Sequence, residues 1–537
     1  MPTSMTQLAG KSLIGFRDGS GTGEVFHAAE PATGAKLEPG FHAATGEEVD
    51  RAAQLAAEGF AVYSRVSGRE RGALLRKIAA NIEAIAGELV ERARRETALP
   101  VARLQGETGR TCGQLRLFAQ VAEEGSWVQA RLDRADRERK PLPRPDLRSM
   151  LRPLGPAVIF GASNFPLAFS VAGGDTASAL AAGNTVMVKA HPAHPGTSEL
   201  VGRAIRDGVR QCGLPEGVFS LLFDAGTRVG VQLVKHPLVK AGGFTGSHAA
   251  GRALMDLAAA RPEPIPFFAE MSSTNPVFVL PGALRERGEK IAAGLHTSFT
   301  LGAGQFCTKP GIVFLPDGPE SRSFVQTVRK LVDAPAGCHL LTSAIRSSYE
   351  AAIRERKADG GVRLLAESPT AGEEAGFAVR PVLFETDAEA FLKSHLDREI
   401  FGPTTLLVEH SNPRQLLALA RSLEGHLTAT LHATEDDLRD FAELIAILES
   451  RVGRLIFNGF PTGVEVTNAM VHGGPYPATS DGRSTSVGTQ AIFRFARLVC
   501  YQDFPDGALP EELKNTNPLA LWRMVDGEMT RAAVTPR

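Results

Sequence analysis

Cys307 stands in the stretch GQFCTKPG (304–311), between the bulky Phe306 and Thr308. A thiol in that setting is either a small buried hydrophobe or a nucleophile. A nucleophile needs a base and a donor for the oxyanion it creates. Glu270 ends the apolar run PIPFFA (264–269). Apolar surroundings push a carboxyl's pKa up, toward general-base duty, whereas a salt-bridged structural acid would look the same in sequence. Asn164, in GASNFP (161–166), offers a side-chain amide to an oxyanion or simply makes a turn.

A second group of residues suits phosphate. FTGSHAAG (244–251) spaces Gly246 and Gly251 across a strand-to-helix turn, with Ser247 placed to cap the helix. A helix N-terminus without a bulky side chain in front of it attracts pyrophosphate, but a tight turn also asks for glycine. Lys189 ends the run NTVMVKA, where a solvated strand end or a nucleotide ribose are both served. Position 192, where an acid would grip the ribose hydroxyls of NAD, holds Pro192. A 2′-phosphate would meet no like charge there, and His191, His194 and Arg228 are the cations nearby in sequence. This favours NADP and leaves NAD possible.

Elements must bring these residues together. Residues 69–98 space Leu74, Ile78, Ile82, Ile85 and Leu89 as a helix, and a second helix is expected over about 105–125. From 155 onward strands alternate with helices. PAVIF, NTVMVKA, VFSLLF, LVKAGGFTG and PIPFFAE read as strands, with helices expected over 166–182, 196–212, 226–235 and 247–260. Alternation of this kind predicts an α/β fold with parallel pairing and ligands beyond the carboxyl ends of the strands. Those ends carry Asn164, Lys189, Gly246 and Glu270. A second α/β segment follows through 465. Residues 132–150 are charged and proline-rich, and IFRFARLVCY in the tail alternates as an amphipathic strand.

The bulk numbers exclude several classes. A formal net charge of −1 over 537 residues gives no basic field for nucleic acid or an anionic membrane. The apolar stretch 157–183 is interrupted by Asn164, Pro166 and Asp175, so no membrane span is expected. Five scattered cysteines, none in CxxC spacing, predict neither a zinc site nor a disulfide framework, and a cytoplasmic location.

Taken together and in order, SNFP, VMVKAHP, FTGS, AEMSSTNP, GQFCT and REIFGP (398–403) resemble the motifs of the aldehyde dehydrogenase superfamily, over about 50–505. The resemblance implies a Rossmann-type cofactor domain (1–131 and 151–278), an α/β catalytic domain (279–480), a small β oligomerisation arm (132–150 and 488–505) and a tail (506–537). It implies Cys307 as nucleophile, Glu270 as general base, Asn164 as oxyanion donor, Glu399 on the nicotinamide ribose and Phe401 beside the nicotinamide. EMSST replaces the usual ELGGK, and the segment 468–505 is long and bears His472. That segment looks like the branch containing α-ketoglutarate semialdehyde dehydrogenases and an NADP-preferring bacterial fatty aldehyde dehydrogenase, and the tail LPEELKNTNPLALWRMVDG resembles the former. In that branch His472 lines the active site, or else stabilises the turn before GGPYP.

Further expectations follow from that reading. Gly302 and Gly304 let the loop deliver the thiol, and Lys309 favours the thiolate. Phe165, Phe169, Phe306 and Phe460 form an apolar wall, while Arg110, Arg116 and Arg494 are candidates for a substrate carboxylate. The partner is a small-molecule aldehyde. The arm and the alternating strand pair across a two-fold to make a homo-oligomer, a dimer or tetramer. An acylating, coenzyme A-dependent enzyme, a fatty or aromatic aldehyde dehydrogenase and a non-catalytic binding protein are the alternative readings.

Overall fold

The computed structural model describes residues 7–369, 375–394 and 396–535. Its first sheet places Phe267–Glu270, Ala241–Thr245, Ala157–Phe160, Val186–Lys189 and Phe219–Leu222 side by side and parallel, with Leu13–Ile14 and Arg17–Asp18 closing the far edge antiparallel. The central runs AVIF, VMVK and FSLL are buried throughout, as strands covered by helices on both faces must be. The chain starts in the middle at Ala157, moves outward on one side to Phe219 and returns to the other side at Ala241. That reversal opens a crevice beyond the strand ends. Register aligns those ends: Phe160 pairs with Lys189, and Thr245 with Glu270.

The helices differ from expectation in two places. The run 69–98 is two helices, Gly68–Ala84 and Ala86–Thr97, meeting at Ile85. The helix expected over 166–182 begins only at Gly174. Ahead of it the chain turns, and the amides of Leu167 and Ala168 both donate to the buried Glu107 carboxylate at 3.0 Å. A long-range acceptor thus replaces the missing helical turn.

A second seven-stranded sheet runs Arg363–Glu367, Val382–Asp387, Thr404–His410, Ile312–Pro316, Val277–Val279, His426–His432 and Val452–Phe457. All its pairs are parallel except the first. A third sheet has five strands: Ala496–Gln502, Leu147–Pro153, Arg131–Asp133, Arg523–Val525 and Glu528–Thr530. Here one expectation is corrected. The alternating strand starts at Ala496, because residues 489–495 form a 3₁₀ turn that buries Ile492 and Phe495. It pairs with Leu147–Pro153 along one edge and is the outermost strand of this sheet.

The chain's last segment is part of the core. Leu513 and Leu521 are buried in the apolar cluster of the first sheet, and the buried Arg523 donates to the carbonyls of Lys514, Glu512 and Ala532. Leu513→Ala should therefore cost about 2–4 kcal/mol in denaturant unfolding, the range for a fully buried leucine. A loss below ~1 kcal/mol would mean that this segment contributes nothing to stability.

Candidate active site

The strand Phe267–Glu270 lies at the open edge of the first sheet, and a returning segment covers that edge. The Met271 amide donates to the Ala478 carbonyl (2.7 Å), Ser480 N to Ala269 O (2.9 Å) and Ala269 N to Ser480 Oγ (2.8 Å). The same segment carries His472 and Ser486 to Glu270. His472 Nε2 is 2.9 Å from Glu270 Oε1, and Ser486 Oγ donates to Glu270 Oε2 at 2.5 Å. His472 Nε2 also stands 3.4 Å from Cys307 Sγ. Thiol, imidazole and carboxylate thus present ligand atoms within 4.8 Å of one another, from positions far apart in sequence.

The electrostatics of this triangle depart from expectation at Glu270. Burial pushes its carboxyl up, as the apolar run suggested, but His472, Ser486 and Arg494 outweigh burial and hold it below the usual value. The thiol moves the other way. Burial raises Cys307 well above the ordinary range, the carboxylates of Glu270 and Glu399 raise it further, and Arg110 opposes them. Arg494 is not a substrate cation: it is buried beside Asp175 as an ion pair, behind Glu270.

The loop before the thiol is built by close backbone approach. Gly302 and Gly304 have φ of 56° and 66°, and a Cβ on Gly304 would lie 2.2 Å from the Gly402 carbonyl oxygen. The loop after it hangs on Asn275, whose side-chain amide donates to the carbonyls of Cys307 (2.8 Å) and Lys309 (3.0 Å). The Asn164 amide donates to Gln305 O at 3.0 Å, two residues from the nucleophile. Lys309 does not face the thiol as expected. It is fully buried and donates to the carbonyls of Ile400 (3.0 Å) and Thr404 (2.8 Å), which fixes the turn carrying Glu399 and the half-buried Phe401. Burial raises the Glu399 carboxyl, and the Lys309 ammonium opposes it.

Two of the residues proposed for a dinucleotide, Gly246 and Glu399, are linked by hydrogen bonds to their neighbours in the site. Gly246 N donates to Glu270 O (3.0 Å), so the glycine turn is tied to the strand that ends in Glu270. Ser247 caps the twelve-residue helix His248–Ala259, whose first turn is largely exposed. The His248 amide donates to Ser272 Oγ (3.3 Å), and Ser272 in turn bonds Glu399. An exposed helix N-terminus leading to a carboxylate beside the thiol fits a pyrophosphate and ribose. Gly251 serves packing, since a Cβ there would sit 2.7 Å from the Met271 sulfur. Lys189 donates to Asp224 O (2.8 Å), and burial lowers it to about 8. Arg228 is exposed, with Nη2 on Ala44 O (2.8 Å). His191 stacks on His194 at 5.6 Å between ring centroids. His194 itself is removed from any phosphate, because its Nε2 is buried 2.8 Å from Ala162 O.

Phe165, Phe169 and Phe306 do form a wall, with edge-to-face contacts at 5.3 Å from Phe165 to each of the others. Phe169 lies 6.0 Å from the His472 ring. Phe460 is elsewhere, against His432 at 4.8 Å. Arg110 lies over Phe169 at 5.0 Å. Arg116 is outside the site, an exposed residue bidentate to Glu83 at 2.6 Å. Asn275, Ser486 and Arg103 were not singled out in the sequence. Only Asn275 had a local signal, an asparagine in AEMSSTNP taking φ of 49°.

Residues 16–488 match the aldehyde dehydrogenase family, and the chain belongs to that family. It is 51% identical over 528 residues to alpha-ketoglutaric semialdehyde dehydrogenase 2 of Azospirillum brasilense, covering 97% of this chain and 99% of that protein. It is 48% identical over 496 residues to alpha-ketoglutaric semialdehyde dehydrogenase of Acinetobacter baylyi, covering 91% and 93%. The fold matches NADP-dependent glyceraldehyde-3-phosphate dehydrogenase of Bacillus halodurans, solved with NADP, at TM-score 0.77 and 20% identity over 93% of this chain and all 100% of that one. No helix among the described residues is long and apolar enough to cross a membrane.

Because Glu270 is the first of the charges that raise the thiol, Glu270→Gln should speed iodoacetamide alkylation of Cys307 in the free protein near neutral pH, about tenfold for each unit the thiol pKa falls. The rate–pH profile should move to lower pH. A slower reaction would show instead that Glu270 helps draw the proton from sulfur.

Proposed function

We propose that this aldehyde dehydrogenase oxidises α-ketoglutarate semialdehyde (2,5-dioxopentanoate) to 2-oxoglutarate, with NADP preferred over NAD. The observation that carries the chemistry is the placement of Cys307 Sγ beside His472 Nε2 and, through it, Glu270. The substrate rests on the two semialdehyde dehydrogenases that are about half identical over nearly the whole chain.

In this reading Cys307 gives up its proton toward His472 and attacks the aldehyde carbon, forming a hemithioacetal. The Asn164 amide turns from the Gln305 carbonyl to the new oxyanion, joined by the Cys307 backbone N–H. Lys189, His191, Arg228, the 246–251 turn, Glu399 and Phe401 hold the nicotinamide dinucleotide, which when bound supplies the hydride acceptor. Loss of hydride leaves an acyl group on Cys307. Glu270, kept ionised by His472, Ser486 and Arg494, takes a proton from water, and the hydroxide attacks the thioester to release the acid. The intact base argues for hydrolysis over transfer to coenzyme A.

Preference for NADP is supported by Pro192, which leaves no acid beside the ribose, and by the exposed Arg228. The exposed strand Ala496–Gln502, with Leu498 in solvent, supports homo-oligomeric assembly, which light scattering would measure. Arg228→Ala should raise the KM for NADP about tenfold, the weight of a charged contact, with a much smaller effect on NAD. Equal effects on both would remove Arg228 from the 2′-phosphate.

The substrate is tested by offering the purified protein α-ketoglutarate semialdehyde beside a medium-chain aldehyde and following NADPH. Higher kcat/KM for the semialdehyde is expected. Preference for the apolar aldehyde would keep the thiol chemistry and assign the aromatic wall to a fatty substrate. Glu270→Gln should retain a burst of NADPH and lose most steady turnover. A lost burst would show that Glu270 acts before the hydride step.

A further inference from the structure

The helix Val101–Glu124 sends two arginines to the aromatic wall. Arg103 and Arg110 are seven residues apart, two helical turns, and so share one face. The Arg103 guanidinium stacks between Phe165 and Phe306, 4.6 Å from each ring centroid. Its Nη2 reaches the backbone carbonyl of Asn164 at 3.4 Å. Arg103 therefore touches both residues that neighbour the proposed reaction centre in sequence, the one after Asn164 and the one before Cys307. Arg110 lies over Phe169, the ring that faces His472, and is fixed by two bonds from Nε (3.3 Å) and Nη2 (3.2 Å) to Val464 O.

These cations are pre-organised, and their buried counter-charge, Glu107, is shared with backbone amides. The acid between them, Glu107, is buried and spends Oε1 on two backbone amides, and its Oε2 stands 3.6 Å from Arg103 Nε, too far for a good hydrogen bond. The Cys307 sulfur is within electrostatic reach of Arg103, of Arg110 and of Arg454, whose Nη2 is held by Pro461 O at 2.9 Å. A wall meant only for alkyl chains would not carry partly desolvated guanidinium groups beside its rings, since each costs free energy to keep there. Guanidinium forks match carboxylates in geometry as well as charge.

We propose that Arg103 and Arg110 form the anion-binding end of the substrate site and select aldehydes that carry a carboxylate at their far end. Arg103 is the leading contact and Arg110 the supporting one. The inference rests on the semialdehyde reading given above and names its specificity determinants. The aromatic rings then have two tasks, enclosing the short methylene chain and holding the two guanidinium planes in place.

The test compares α-ketoglutarate semialdehyde with pentanal, an uncharged aldehyde of the same chain length, in wild type, Arg103→Met, Arg103→Lys, Arg110→Met and Arg116→Met. Methionine keeps the stem and removes the charge. The ratio of kcat/KM values, semialdehyde over pentanal, should fall about 10- to 100-fold in Arg103→Met, mostly through KM, and less in Arg110→Met. Arg103→Lys should recover part of the ratio even if the methionine variant folds poorly. Arg116→Met, on the far side of the helix, should leave the ratio as it was. A wild type that prefers the semialdehyde, with variants that keep its ratio, would overturn the arginine assignment and spare the proposed function. A wild type with no preference would overturn both.

Discussion

The structure is organised around one buried acid. Glu270 ends an edge strand, is 3% exposed and stays ionised only because His472, Ser486 and Arg494 compensate its lost hydration. Those partners come from a segment that would otherwise have no reason to lie against the first sheet. By bonding to Ala269 and Met271, that segment closes the strand's open edge and brings His472 to the thiol. Edge protection and site assembly are thus one event. A carboxylate that lost any of its three partners would be expensive to keep charged, so the base and the lid over it are coupled.

The nucleophile side is held by backbone contact. Gly304 packs on the Gly402 carbonyl, Asn275 grips the carbonyls on either side of Thr308, and Lys309 ties the loop to the turn before Thr404. The thiol reaches His472 in a setting that disfavours its anion, since burial and two carboxylates oppose ionisation. Such a site is quiet until a cation or an electrophile enters. The proposed cofactor would add positive charge to that of the resident Arg110, which already opposes the shift of the thiol.

Much of this was legible in the sequence. Fully buried runs such as VMVK and FSLL announce parallel strands, and a parallel sheet places Lys189, Thr245 and Glu270 along one rim by register alone. Cys307, Glu270 and Asn164 could be named from type and position, and the structure does bring them to one place. What escaped depended on contacts between distant segments. The helix expected from 166 starts at Gly174 because Glu107, sixty residues away, takes the amides that would have opened it. The apolar run before Glu270 gave the wrong direction for its pKa, as its partners lie more than two hundred residues downstream. Arg116 and Arg103 were indistinguishable without knowing which face of their helix meets the wall. Lys309 followed the thiol in sequence but turned to carbonyls across the loop.

The central claim is that Cys307 alone carries the acyl group and that Glu270 removes it. Intact-mass and peptide mass measurements on Glu270→Gln, mixed with α-ketoglutarate semialdehyde and NADP and quenched in acid, test it directly. The account predicts a 2-oxoglutaryl adduct on the peptide containing Cys307 and on none of the other four of the chain's five cysteines. No adduct while NADPH forms, or an adduct on another cysteine, would contradict it.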